Sequence, residues 1–152
     1  MKLEIHPNLS KKKFIIELSL CLVYLENNRH FPWLILVPKR ADTKKIMDLS
    51  VEDQILLIQE LDVAQKILWE LFSPTQLNVA AIGNKTPQLH IHVIARVSTD
   101  PAWPNTVWDH PNKEPYSEAE LNTLANTIQA SFILRQKRLL KSSCNRDLNS
   151  LI

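Results

Sequence analysis

Alternating and unbroken apolar stretches near the start of the chain predict a β-hairpin. Over residues 15–26 ("IIELSLCLVYLE"), Glu17 and Ser19 alternate with apolar neighbours, which is typical of one or two short strands. Residues 33–37 ("WLILV") form a continuous apolar run, as expected of a strand that is buried on both faces. The residues between them, 27–32, are rich in asparagine and end in proline, which favours a turn.

Apolar residues at helical spacing predict two helices, over 50–72 and 117–133. Each begins with a serine, Ser50 or Ser117, that is followed three residues later by an acidic residue, a pattern that favours a helix N-terminus. The first helix has the more regular period, with apolar residues at positions 51, 55, 58, 61, 64, 68 and 71.

A second hairpin is predicted between the two helices. Residues 76–82 and 89–96 have the character of strands, and 83–87 form a turn between them. A proline-rich loop over 100–115 follows this hairpin. The order hairpin, helix, hairpin, helix predicts an α+β fold, in which an antiparallel sheet built from two hairpins packs against two main helices.

The composition indicates one ordinary globular domain. The chain has 152 residues, of which 45% are hydrophobic and 22% charged, and its net charge is +2. We expect a single domain over 1–138 and a basic, flexible C-terminal tail over 139–152. The net charge is too small to indicate nucleic-acid binding, although a weak anion-binding role for the basic run at 135–141 remains an alternative to a solvated helix end.

Several classes of protein are disfavoured by what the chain contains. Gly83 is its only glycine, so neither a dinucleotide fingerprint nor a phosphate-binding loop can be formed. No apolar run is long enough for a signal peptide or a membrane span, and a cytoplasmic protein is the default expectation. Cys21 is expected to be a buried thiol and Cys144 lies in the polar tail, without metal-like spacing.

The predicted strand 89–96 carries two of the five histidines of the chain, within "QLHIHVIAR". Because side chains alternate across a strand, Gln88, His90 and His92 are expected to share one face and to line a cleft. Three interpretations are open from the residues alone. The histidines can be packed with satisfied hydrogen bonds, can bind a metal, or can act as nucleophile and proton donor. Metal binding needs a further ligand that the spacing of the other histidines does not indicate.

The motif resembles the His-φ-His-φ-His-φ-φ pattern of the histidine triad family of nucleotide hydrolases and transferases. The surroundings are similar to those of the family as well. They comprise an early hairpin ending in "WLILVPK", a long helix, and the asparagine-containing strand "LNVAAIGN" before the motif. The resemblance covers roughly residues 15–135, and it implies a nucleotide substrate.

The resemblance also implies roles for individual residues. His90 matches the nucleophile, which would attack the α-phosphorus and form a nucleotidyl-histidine. His92 matches the histidine that contacts phosphate and helps the leaving group. Asn78 resembles an asparagine that contacts phosphate, Asn84 a polar residue near the leaving group, and Asn27 the residue that holds the ribose. Asn27 and Asn84 are also good turn residues on their own account.

The sequence departs from the family pattern at several positions. Gln88 stands where the first histidine is expected; it keeps a donor and an acceptor but cannot titrate. A branch of the superfamily is similar in this respect and in its Trp-rich loop. Trp33 replaces another common histidine. Arg96 is either a phosphate ligand or a salt-bridged strand end, and Trp103 and Trp108 cover a nucleobase, contact a dimer partner, or simply pack the loop.

Three functional hypotheses follow. The first is an enzyme that cleaves a phosphoanhydride or phosphoramidate at the α-phosphorus, for example in a diadenosine polyphosphate, without a cofactor or metal. The second is a nucleotide-binding protein that has lost turnover with its first triad histidine. The third is a metal site on His90 and His92. The resemblance further implies a homodimer, and the lack of paired cysteines predicts that no structural zinc is bound.

Overall fold

A computed structural model describes residues 3–149 of the chain, with side chains to Arg138. Its strands are β1 Lys13–Glu17, β2 Cys21–Leu25, β3 Trp33–Pro38, β4 Gln76–Ala80 and β5 Ile91–Arg96. Its helices are α1 Pro7–Ser10, α2 Val51–Phe72 and α3 Glu118–Asn149, and two short 3₁₀ turns lie at Ile46–Asp48 and Val107–Asp109.

The five strands form one sheet in the order β1-β2-β3-β5-β4, and every neighbouring pair is antiparallel. The two predicted hairpins are β2–β3 and β4–β5, and β1 extends the first of them. The α+β prediction, with an antiparallel sheet and two main helices, is therefore confirmed. Because β5 pairs with both β3 and β4, the strand that carries His92 lies inside the sheet.

One face of the sheet packs against α2 and α3. Side chains of the strands and of both helices form a continuous apolar core there, which includes Leu34, Leu36, Ile91, Val93, Leu57, Leu61, Leu68, Ile128 and Phe132. Helix α2 begins where predicted, since the Ser50 hydroxyl accepts a hydrogen bond from the Asp53 amide. Burial of so much apolar surface is the main force that holds the helices on the sheet.

The turn between β1 and β2 is tied to α2 by a buried carboxylate. Glu60, on α2, accepts hydrogen bonds from the backbone amides of Leu20 at 2.7 Å and Cys21 at 2.9 Å. Cys21 is fully buried, as predicted. Burial raises the pKa of its thiol well above the ordinary range, and the Glu60 carboxylate raises it further, so this cysteine is an inert core residue.

The opposite face of the sheet is covered by α1 and by the loop after β5. Leu9 of α1 and Ala102 and Val107 of the loop pack there in a second, smaller apolar cluster, together with Phe31, Trp33, Ile35, Val37 and Ile94. Residues paired across antiparallel strands point to the same face. Because His92 pairs with Ile35, it also lies on this covered face.

The structure differs from the sequence-based expectation in three places. Strand β5 begins at Ile91 and not at residue 89, and the short helix α1 was not predicted. Helix α3 continues to Asn149, well beyond 133, so the backbone of 139–149 is helical. The side chains of the predicted tail over 139–152 lie outside the described residues, and its flexibility stays a prediction. None of the described helices combines the length and apolarity needed to cross a membrane.

Candidate active site

His90 lies directly before β5, and the backbone of Gln88 sets its orientation. Its Nδ1 is 2.7 Å from the carbonyl oxygen of Gln88. A carbonyl oxygen can only accept, so Nδ1 must carry the proton and donate it. In a neutral imidazole the lone pair then lies on Nε2. His90 is nearly buried, and it holds the tautomer that a nucleophile requires.

His92, on β5, is held in the opposite tautomer by Trp33. The indole Nε1 of Trp33 donates to Nδ1 of His92 over 2.9 Å, in the interior of the protein. An indole can only donate, so Nδ1 accepts and the proton of His92 lies on Nε2. The two imidazole rings are 4.9 Å apart, centroid to centroid. The pair therefore combines a lone pair on one Nε2 with an N–H group on the other.

The charge state of His92 follows from its surroundings. Burial, with smaller contributions from the neighbouring His90 and from Lys12, lowers the pKa of His92 from 6.5 to about 3. A buried imidazolium would lose its hydration and face like charge, which is why the neutral form is favoured. Near neutral pH, His92 can donate a hydrogen bond from Nε2 but carries no positive charge.

Two aromatic residues enclose His92. The ring of Trp108 is 5.1 Å from His92 and 5.5 Å from Trp33, in edge-on arrangements. Trp108 is 43% exposed, so it packs on the histidine and still presents a surface to solvent. The sequence drew attention to both tryptophans but did not predict that Trp33 would donate to His92, since the register between β3 and β5 is needed to see it.

Arg96 is engaged inside the protein, and its role as a substrate ligand stays a prediction. Its Nε and Nη2 donate to the two carboxylate oxygens of Asp100 at 2.7 and 2.9 Å, and both residues are buried. Nη2 also donates to the carbonyl oxygen of Asn105 at 2.9 Å. The guanidinium is held by this bidentate salt bridge and is covered by the rings of Phe31 and Trp103. The alternative of a salt-bridged strand end describes it correctly.

Asn78 lies on β4 and is oriented by the same arginine. Its Oδ1 accepts a hydrogen bond from Nη1 of Arg96 at 2.8 Å. Asn78 pairs with Ile94 across the sheet, so it shares the face of His92. A fixed Oδ1 also fixes the amide nitrogen, which is the group that would donate to a phosphate. The phosphate contact itself stays a prediction.

A cavity of about 510 Å³ opens beside His90, and we call it the His90 cavity. Asn84 and Gln88 line it, so the structure brings two of the predicted site residues to the candidate nucleophile. Lys44 and Lys45, which the sequence analysis did not single out, line it as well. The rest of the wall is largely apolar and includes Ile46, Met47, Ala81, Ile82, Pro87 and Leu89.

The sequence predicted that Gln88 would share one strand face with His90 and His92, but β5 begins only at Ile91, so Gln88 lies outside the strand. Its Oε1 accepts from the amide of His6 at 2.8 Å, and its Nε2 donates to the carbonyl oxygen of Glu4 at 3.1 Å. Nearby, Asn8 donates to the Thr86 hydroxyl at 3.0 Å. The side-chain amide of Gln88 thus makes one accepted and one donated hydrogen bond with the backbone of the N-terminal segment.

Asn27 lies elsewhere. Its Oδ1 accepts a hydrogen bond from the backbone amide of Tyr116 at 2.9 Å, just before α3 begins. It lines a different cavity, of about 670 Å³, which is bordered by Lys11, Lys12, Lys13 and Lys113. The structure does not place Asn27 in the His90 cavity, and its ribose-binding role stays a prediction.

With this geometry established, the comparisons with known proteins identify the family. The HIT domain matches residues 8–99, which is more than half of the chain. The chain belongs to the HIT (histidine triad) domain family. A comparison with curated proteins gives no match. The assignment to a branch with glutamine at the position of Gln88 stays a prediction.

Solved HIT structures resemble this chain over most of its length. A histidine triad protein from Sinorhizobium meliloti 1021 is 38% identical, with a TM-score of 0.82 over 85% of this chain and 96% of its own. One from Marinobacter aquaeolei VT8 is 36% identical, with a TM-score of 0.81 over 85% and 95%. The diadenosine triphosphate hydrolase of Plasmodium falciparum is 21% identical, with a TM-score of 0.55 over 79% and 76%, a likeness of fold alone.

Membership of the HIT family supports a nucleotide-binding or nucleotide-hydrolysing function in general. The histidine pair is the part of the structure that can perform such chemistry. Among residues that the structure describes, no three His, Cys, Asp or Glu side chains are placed to hold a metal ion together. The groups available for chemistry are the Nε2 lone pair of His90, the Nε2–H of His92 and the cavity lined by Lys44 and Lys45.

Proposed function

We propose that this protein is a nucleotide hydrolase or nucleotidyl transferase that acts at the α-phosphorus of a nucleoside polyphosphate or phosphoramidate. The reaction proceeds through a nucleotidyl intermediate on His90. The observation that carries the proposal is the opposite tautomers of the two adjacent histidines, one with a free lone pair on Nε2 and the other with a proton there.

In the first step, the Nε2 lone pair of His90 attacks the α-phosphorus, and the bond from phosphorus to the leaving group breaks. The new N–P bond makes the imidazole a cation, since Nδ1 keeps its proton. The carbonyl oxygen of Gln88, which accepts that proton at 2.7 Å, stabilises the positive charge. The Nε2–H of His92 donates to a phosphate oxygen in the crowded transition state.

In the second step, a water molecule attacks phosphorus from the side that the leaving group vacated. The N–P bond breaks, and His90 regains its lone pair. The nucleoside monophosphate leaves, and the remaining proton of the water passes to solvent or to a phosphate oxygen. With another acceptor in place of water, the same intermediate gives a transferase.

A nucleotide-binding protein without turnover is the second candidate. The observation that favours it is the glutamine at position 88, whose amide is bound to the N-terminal segment and cannot exchange a proton with the site. The family resemblance also leads us to propose a homodimer, which sedimentation of the purified protein would test.

The test compares wild type with His90→Ala on diadenosine tetraphosphate and on an adenosine phosphoramidate, with and without a chelator. His30→Ala, a histidine of the β2–β3 turn, is the matched control. Acid quenching followed by mass spectrometry reports the nucleotidyl adduct. We expect release of adenosine monophosphate and an adduct on the peptide containing His90, for wild type and the control only.

The outcomes separate the candidates. Turnover by His90→Ala at the wild-type rate would remove His90 from the mechanism. Nucleotide binding without products or adduct would select the binding protein. Loss of wild-type activity in the presence of chelator would point to a metal site on the two histidines.

A further inference from the structure

We infer that the His90 cavity binds the leaving group and selects an anionic one, a phosphate or polyphosphate, over an amine. This inference rests on the proposed function and chooses between the two substrate classes that the proposed function leaves open. Three observations support the inference. They are the positive charge of the cavity, the backbone contacts that hold its lysines near His90, and the absence of a readily transferred proton on the histidine pair.

The charge of the cavity is the first observation. Lys44 and Lys45 both line it, and no carboxylate is found among its lining residues. Asp42 and Asp48 are the acids nearest to the two lysines in sequence, and neither lines the cavity. The Asp48 carboxylate is turned to the backbone, where it accepts from the amides of Lys44 at 3.0 Å and Lys45 at 2.9 Å. Both carboxylates lie outside the lining of the cavity, whereas both lysines belong to it, so the cavity favours an anion.

The two lysines are held close to His90 by the backbone. The amide of Leu89, the residue before His90, donates to the carbonyl oxygen of Thr43 at 2.9 Å. On the other wall, Gly83 lies close to the same loop. A Cβ added to this glycine would be 3.9 Å from the carbonyl oxygen of Lys44 and 3.5 Å from that of Thr86. The loop that carries the lysines therefore packs on the segment that leads to the nucleophile.

The part of the substrate that enters this cavity must match its charge. A nucleoside is uncharged apart from the phosphate under attack, whereas the remainder of a nucleoside polyphosphate carries several negative charges. The side-chain amide of Asn84, a hydrogen-bond donor, lines the same cavity. The lysines and the asparagine together suit the oxygens of a departing phosphate chain.

The proton donors near His90 independently favour an anionic leaving group over an amine. An amine that leaves phosphorus must take up a proton, whereas a phosphate leaves as a stable anion. His92 could become a proton source only by accepting a second proton on Nδ1, which would break its bond from Trp33. Gln88 and Trp33 cannot titrate at all. The histidine pair therefore offers no ready proton to the departing atom, which favours a leaving group that departs without protonation.

The test measures kcat/KM for diadenosine tetraphosphate and for an adenosine phosphoramidate of an alkylamine. The variant is the double substitution Lys44→Gln/Lys45→Gln, and Lys44→Arg/Lys45→Arg restores the charge. Lys66→Gln/Lys137→Gln, on α2 and α3, is the control with the same change in net charge. Thermal unfolding of each variant confirms that the fold is retained.

We expect the glutamine variant to lose about tenfold in kcat/KM on the polyphosphate, with little change on the phosphoramidate. The arginine variant should recover most of the loss, and high salt should reduce the wild-type preference. An equal loss on both substrates, or a wild type that prefers the phosphoramidate, would overturn the inference while leaving the proposed function intact. If wild type turned over neither substrate, the proposed function would fail first.

Discussion

The indole N–H of Trp33 donates to Nδ1 of His92 over 2.9 Å, on neighbouring strands of the sheet. A tryptophan cannot accept or release a proton, so this bond fixes the tautomer of His92 without adding a titratable group. The consequence is an N–H donor beside the candidate nucleophile that stays neutral over the physiological pH range. Histidine at position 33 would instead have coupled His92 to a second titrating imidazole.

Replacing Trp33 with phenylalanine should remove the donor while keeping an aromatic ring. The buried Nδ1 of His92 would lose its partner, which we expect to destabilise the fold by about 1–3 kcal/mol. The pKa of His92 should rise from its present value of about 3, because Nδ1 becomes free to accept a proton. Trp69→Phe, an exposed site on α2, is the control.

An NMR titration of the imidazole signals, together with denaturant unfolding, measures both effects of Trp33→Phe. An unchanged tautomer and pKa of His92 in this variant would show that burial alone sets them.

The buried neutral His92 should make the protein lose stability in acid. Its pKa is 6.5 when exposed and about 3 in the folded protein, so between these values only the unfolded chain takes up the proton. The contribution is fully present above pH 6.5 and is lost as the pH falls towards 3. The expected slope is about 1.4 kcal/mol per pH unit.

The measurement for His92 is the free energy of unfolding from pH 7 to 4, compared with that of His92→Gln. The glutamine variant should show a shallower decline, since other groups titrate in both proteins. Parallel curves for the two proteins would contradict the low pKa of His92.

The side chain of Gln88 should matter more for the N-terminal segment than for chemistry. In Gln88→Ala the bonds to Glu4 and His6 are lost, and we expect a loss of about 1–2 kcal/mol in stability and faster hydrogen exchange at the His6 amide. The carbonyl oxygen that orients His90 belongs to the backbone and remains. The fall in kcat should therefore be much smaller than in His90→Ala.

Hydrogen exchange and turnover on the same Gln88→Ala sample test this, with Gln59→Ala on α2 as the control. If a folded Gln88→Ala protein were as inactive as His90→Ala, the amide would have a direct part in the reaction.

Arg96 should act on stability and not on substrate binding. Arg96→Lys keeps the charge but loses the two-pronged contact with Asp100, which is almost completely buried along with it. We expect destabilisation of about 1.5–3 kcal/mol, because hydrogen bonds to the buried carboxylate are lost while the opposite charge is kept. Nucleotide KM should stay close to wild type at temperatures where the variant is folded. A stable variant with a strongly raised KM would restore Arg96 as a substrate ligand.

Much of the fold was predictable from the sequence because its signals are local. The helical period after Ser50 predicted α2, and the apolar runs and turns predicted both hairpins. The burial of Cys21 followed from its apolar neighbours. The motif around His90 and His92 pointed to the family, because it depends on residue types at fixed spacing along one chain segment.

The tertiary structure decided the contacts between segments that are distant in the sequence. The bond from Trp33 to His92 depends on the pairing of β3 with β5, and the partners of Gln88 are 82 and 84 residues away in the chain. The pairing of Arg96 with Asp100 depends on the fold of the loop after β5. Residue types alone limit which groups can donate or accept, and only packing determines which of them meet. The sequence by itself therefore determined the main helices and hairpins, the family and the candidate nucleophile, while packing decided the tautomers and placed the two lysines beside His90.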